Sequence, residues 1–272
     1  MQLQNKLDAY PEIKKVYLIV RRYIYFICIN PFLQFGQLRR KLHLSSKYKS
    51  LRNLKNQYCN KKVFIIATGP SLTKEDYLGL KDQYTIGVNA ICKWFGETGV
   101  KTDWLVVSDP KAYKTLLPYM PDTGEVFTSD NRQNKKNGAG YKNHRRIPVD
   151  ITNNYRKDSA PRRISNDIEV CAYNGNTVVL LAIQIAIYMG FKEIYLVGTD
   201  CNYDKNAKNW YSVNHGIIDK NNVTAGERMI RDYTVAHKWA EIYGVNIYNA
   251  TRGGMLEVFP RVNLDAFIGL EG

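Results

Sequence analysis

"VFIIATGPSL", residues 63–72, is the stretch on which the fold turns. A short apolar run of β-branched and aromatic residues, Val63 to Ile66, leads straight into a Gly-Pro-Ser turn. The run reads as a buried strand and the turn as a helix start. Gly69 lets the backbone approach a neighbour closely. Pro70 suits the first helical position, where its missing N–H costs nothing. The N–H groups of Ser71 and Leu72 are then expected to be free at the positive end of a helix, a place built to receive an anion. Only one of the three glycines of the dinucleotide fingerprint is present, and no Gly-Lys-Ser/Thr follows, so neither a GxGxxG motif nor a P-loop is read here.

Working outward, the same alternation repeats. Strands are expected at 63–67, 84–88, 104–108, 125–128, 193–198 and 245–248, with helices at 71–80, 90–97, 111–118, 176–189 and 225–243. Strands alternating with helices imply an α/β fold, a Rossmann-like mostly parallel sheet with helices on both faces. "VVLLAIQIAIYMG", 178–190, is too short to span a bilayer and suits a buried helix. Segments 129–170 and 201–224 are polar and read as long loops.

The chain has 272 residues and a formal net charge of +14. The charge is uneven. Residues 1–62 hold 14 Lys/Arg against two acids, whereas the remainder is nearly balanced. The basic character therefore belongs to an appendage, residues 1–60, and not to the body, residues 61–272, so no nucleic-acid partner is expected. Within the appendage, "VYLIVRRYIYFICINPFLQF", 16–35, is apolar, interrupted by Arg21 and Arg22 and expected to end at Pro31. Its uninterrupted apolar part, Tyr23 to Ile29, is far below the roughly 20 residues of a span. Residues 14–41 are expected to lie on an anionic membrane surface, with packing on the body or on a second subunit as the alternative. Five scattered cysteines without a CxxC pair suit a reducing cytoplasm. No apolar run is followed by a small-residue cleavage site, so no cleaved leader is expected. The expected location is the inner face of the cell membrane.

Ligands of open parallel sheets bind beyond the carboxyl ends of the strands. There the sequence places Thr68, Gly69, Pro70 and Ser71, then Asn89, then Ser108 and Asp109. Asp109 could hold a ribose hydroxyl or a metal, or simply cap a helix beginning at Pro110. Asn176 and Thr177 open the long apolar helix, and Gly198 and Asp200 follow the most apolar strand. A buried carboxylate at Asp200 requires a partner. Of the four histidines, His215 lies in a long loop where it could fold over the site as a general base.

The order of these motifs, with "NTVVLLAIQIAIYMGFKEIYLVGTD" at 176–200 and "NATRGGMLEVFPRV" at 249–262, resembles the bacterial family 42 sialyltransferases and their superfamily. That superfamily includes the Maf-type glycosyltransferases and the MptE-like pterin diphosphokinases. The resemblance covers about residues 61–262 and implies a GT-A-like variant of the fold. It further implies a glycosyltransferase using a CMP-activated acidic sugar, such as sialic acid or a relative, with a glycan, glycolipid or glycoprotein acceptor. On the matching positions, Thr68, Gly69, Pro70, Ser71, Asn89, Ser108, Asp109, Asn176, Thr177 and Gly198 would surround the nucleotide, with Asp200 beside them as a catalytic residue. Tyr203 and Tyr211 would face the donor phosphate. The chain departs from the family where a lid histidine is expected before the last long helix. That neighbourhood holds Glu227, and His215 stands about a dozen residues earlier, so both are candidate bases. Thr68 replaces the family's Asn. No DxD motif is evident, which fits a transferase needing no cofactor. An MptE-like diphosphokinase would instead need magnesium on Asp109, Asp200 and Asp204, and a non-enzymatic nucleotide- or glycan-binding scaffold is the third reading. A homo-oligomer is open.

Overall fold

A computed structural model describes residues 10–120, 124–156, 160, 162–202 and 225–268. Its centre is a seven-stranded sheet. The strands are β1 (Lys62–Ile66), β2 (Thr85–Val88), β3 (Trp104–Val106), β4 (Glu125–Ser129), β5 (His144–Ile147), β8 (Glu193–Val197) and β9 (Asn246–Asn249). Their order is β5-β4-β3-β2-β1-β8-β9, and every neighbouring pair is parallel. A short parallel pair, β6 (Val149–Asp150) with β7 (Ala172–Tyr173), stands apart.

Parallel strands are covered on both faces, and the period of two divides each between two cores. On β1, Val63 and Ile65 enter one core while Phe64 and Ile66 enter the other. Ile194 and Leu196 of β8 face the first core, and Tyr195 and Val197 the second. The first core is filled by the helix Val179–Met189, all of whose 11 residues are buried, and by Tyr233, Ala236 and Ala240 of the helix Ala225–Ile242. Gly190 ends the former in the left-handed region at φ 95°. Tyr48, Leu51 and Leu54, from within residues 1–60, are also buried in this core. The second core is covered by the short helices Lys74–Gly79, Lys93–Thr98 and Pro110–Leu116.

Several sequence expectations change. The first helix begins at Lys74, not at residue 71, because Thr73 caps it. Thr73 Oγ1 accepts from Asp76 N (3.0 Å) and Thr73 N donates to Asp76 Oδ2 (3.3 Å), a reciprocal capping box. The long apolar helix begins at Val179 instead of Asn176. Segment 129–170 is not one loop: it carries the helix Arg132–Asn137, β5 and β6. β5 escaped detection because it is an edge strand, "HRRI", in which only Ile147 is buried.

Pro31 does not end the N-terminal helix. In chain order, α1 (Pro11–Ile24) passes through a π turn, Tyr25–Ile29, into α2 (Asn30–Lys41). The N–H of Asn30 donates to Tyr25 O, five residues back. Pro31 lacks an N–H and its ring would crowd the carbonyl a turn earlier, and the wide turn absorbs both. The result is one helical rod, Pro11–Lys41, of 31 residues.

Candidate active site at the switch point of the sheet

Strand order reverses between β1 and β8, since β2 to β5 lie on one side of β1 and β8 and β9 on the other. A crevice opens outside the carboxyl ends of strands at such a point. A cavity of about 370 Å³ occupies it. Its walls include Thr68, Gly69 and Pro70 after β1, Asn89 after β2, Ser108 and Asp109 after β3, Asn176 and Thr177 before the long helix, and Gly198 and Asp200 after β8. The residues read from separate motifs thus meet around one space.

The turn after β1 does meet an anion, and it is the protein's own. Ser71 N donates to Asp200 Oδ1 (3.2 Å) and Ser71 Oγ to Asp200 Oδ2 (2.9 Å). Leu72 N donates to Gly69 O (3.2 Å). Neither N–H expected to be free is free. Gly69 is required by this contact, because a Cβ there would lie 1.9 Å from Asp200 Oδ2 and 2.4 Å from Gly198 O. Asp200 is 6% exposed. Burial raises its pKa above the usual carboxylate value, and the Ser71 bonds oppose that rise. Gly198, at φ 66°, lets the chain pack against the Ala67 carbonyl, and Gly254, at φ 80°, against the backbone of Asp200.

The second turn repeats the device. Asn176 N donates to Asp232 Oδ2 (2.5 Å), and Asn176 Nδ2 reaches the same oxygen (3.0 Å). Asp232 is fully buried, and Arg162 Nε stands 3.3 Å from its Oδ1. Burial raises the Asp232 pKa, against the bonds from Asn176 and the charge of Arg162. Thr177 Oγ1 accepts from Val179 N (3.2 Å), so it serves the helix start. Sequence reading passed over Asp232. The signal was available: it falls on the buried stripe of its helix, three residues after Met229 and four before Ala236.

Asp109 caps its helix, accepting from Lys111 N (2.9 Å) and Ala112 N (2.8 Å). The carbonyl of Ser108 accepts from Ser129 Oγ (2.6 Å) and Asn134 Nδ2 (3.0 Å). Asn89 and Cys201 hold positive φ, 49° and 52°, a conformation that concentrates where a site constrains the backbone. Burial pushes the Cys201 thiol up to about 12, so it is no thiolate. Val149, Asn174, Met229 and Tyr233 complete the wall and were not singled out as site residues from the sequence. Asn174 Oδ1 is buried without a partner and is available as an acceptor.

Tyr203, Asp204, Tyr211 and His215 lie outside the described residues. Glu227 is exposed in the first turn of the helix Ala225–Ile242 and does not line the cavity. Among the described residues, no group of three or more His, Cys, Asp and Glu side chains is placed to hold a metal. Chemically, the described wall offers amides, hydroxyls, apolar surface and two carboxylates, with no Lys or Arg. Such a wall suits the neutral base and sugar of a nucleoside.

No curated protein matches the sequence at a significant level. Among solved structures, the Maf glycosyltransferase from Magnetospirillum magneticum AMB-1 is similar over 86% of this chain, with 14% identity and a TM-score of 0.45. The present chain spans 39% of that protein's length. The sialyltransferase CST-II in complex with CMP is similar over 78% of this chain and 86% of its own, with 20% identity and a TM-score of 0.40. The model of one family, described as 6-hydroxymethylpterin diphosphokinase MptE-like, matches residues 38–206, more than half of the sequence, and the chain belongs to that MptE-like family.

Proposed function

We propose that this protein is a glycosyltransferase that takes a sugar from a CMP-activated donor and moves it to a hydroxyl of a glycan or glycoprotein. The observation that carries the reading is the composition of the cavity. Positions that resemble the nucleotide site of family 42 line one space, and its described wall lacks cations. A nucleoside carrying a single phosphate fits such a wall better than a nucleoside triphosphate, which needs several neutralising charges.

The reaction is a direct displacement. The acceptor hydroxyl attacks the anomeric carbon, the bond from that carbon to the phosphate oxygen breaks, and CMP leaves with the electron pair. The hydroxyl proton passes to a base, for which His215 and Glu227 compete. Of the N–H groups of the turn after β1, that of Ser71 is engaged by Asp200 and that of Leu72 by Gly69 O, so stabilisation of the departing phosphate falls to lid side chains, with Tyr203 and Tyr211 as candidates.

The family's description favours a second reading, transfer of diphosphate from ATP to a pterin with magnesium. Thermal shift separates the two. A ligand that binds only the folded state stabilises it by about 2.7 kcal/mol at 100 times its Kd. Stabilisation by CMP without metal is expected. A shift only with ATP or ADP and magnesium would overturn the transferase reading in favour of the diphosphokinase, and no shift with any nucleotide would leave a non-enzymatic scaffold. With a donor in hand, His215→Ala and Glu227→Gln assign the base: the true base loses roughly 10²–10⁴-fold in kcat, the other little.

A further inference from the structure

The rod Pro11–Lys41 is amphipathic in the reverse sense for a soluble protein. Its polar stripe faces the body. Arg22 Nε donates to Tyr155 O (2.9 Å), and the buried Tyr25 donates to Asp150 Oδ1 (3.1 Å) while its ring stacks on Tyr155. Gln37 Nε2 donates to Asp150 Oδ2 (2.7 Å), and Arg40 Nε to Val170 O (2.6 Å). The opposite side carries Val16, Val20, Ile24, Ile27, Phe32 and Phe35, all exposed, Ile27 to 69% and Phe32 to 78%. A soluble helix turns that side inward. A continuous apolar strip over 31 residues, on the order of 46 Å at 1.5 Å per residue, marks an interaction surface.

The geometry points to one occupant, the outer few ångströms of an anionic bilayer leaflet, with the rod lying in its plane. Charge identifies it. The apolar strip lies in the segment of 14 basic and two acidic residues, with Lys14 and Lys15 near one end and Arg39 and Lys41 at the other. Basic groups flanking an apolar face complement anionic headgroups. The same charge opposes pairing of this face with its copy, which would bring two strongly positive segments together. By length and composition the rod could cross a membrane. Standing upright would instead strip Arg21, Arg22 and Gln37 from their partners and place both arginines in hydrocarbon, at heavy cost. The rod also grips the strand that walls the cavity. Asp150 holds Tyr25 and Gln37, its carbonyl accepts from Asn174 N (3.1 Å), and Val149 and Asn174 line the cavity. Membrane seat and cavity share one support.

The test is flotation of the full chain with vesicles of phosphatidylcholine alone or mixed with phosphatidylglycerol. It needs no nucleotide, so its outcome is independent of the transfer reaction. Binding is expected to the mixed vesicles, weakening as salt is raised. The double variant Ile27→Asp/Phe32→Asp changes only exposed side chains, so it is expected to keep the wild-type melting point and lose at least tenfold in vesicle affinity. The proposal fails if the wild type does not float, if the variant floats equally well, or if light scattering finds a dimer that the variant dissociates.

Discussion

Asp200 occupies the place that the sequence reserves for a ligand. A Gly-Pro-Ser turn after a buried strand advertises free N–H groups, and this molecule fills that offer with an internal carboxylate. A prediction follows from its protonation. Burial raises the folded-state pKa above 3.8, so the folded state holds this proton more tightly than the unfolded one. The associated stability is complete at low pH and is lost as pH rises through the folded value. Asp200→Asn cannot ionise. It is expected to flatten the fall in melting temperature above pH 3.8, and to melt higher than wild type at neutral pH, where the buried carboxylate of the wild type is ionised. Differential scanning fluorimetry across pH decides this, and a slope equal to that of the wild type would refute it.

At the scale of elements, the strands of the inner sheet were legible because each is a short apolar run ending in a turn residue. β5 was not, since an edge strand buries one side chain in four and is defined by pairing with Val126 to Ser129. The π turn was equally hidden. Its function is phase: one extra residue rotates everything after it by about 100°, which brings Gln37 and Arg40 onto the stripe begun by Arg21, Arg22 and Tyr25. Deleting exposed Cys28 from this turn should swing Gln37 and Arg40 away from Asp150 and Val170 O. The expected loss is about 1–3 kcal/mol for bonds involving charged groups, with new tryptic cleavage at Arg39 and Arg40. Limited proteolysis beside a thermal melt checks both.

At the scale of the molecule, one buried pair ties three distant segments. Asp232, on the last long helix, holds the Asn176 turn and faces Arg162, whose side chain is 9% exposed. Removing the carboxylate takes the counter-charge from the guanidinium of Arg162, which keeps its hydrogen bond to Asn153 O. Asp232→Ala is expected to cost about 3–5 kcal/mol, and Arg162→Leu in the same chain to restore part of it, because the uncompensated charge is then gone. Urea unfolding midpoints of the single and double variants measure the coupling.

The α/β alternation, the parallel sheet and the assembly of site positions at the carboxyl ends of the strands were determined by the sequence itself. Those features follow from local periods and from the one-sided geometry of a parallel sheet. Tertiary structure alone decided the polar pairing and the orientation of the N-terminal helix. Ser71 meets Asp200 across 129 residues, Asn176 meets Asp232 across 56, and Tyr25 meets Asp150 across 125. A hydrogen-bond donor in a sequence announces only that it needs an acceptor. Which acceptor arrives, and which side of an amphipathic helix is left facing outward, depends on packing between segments that no local pattern encodes.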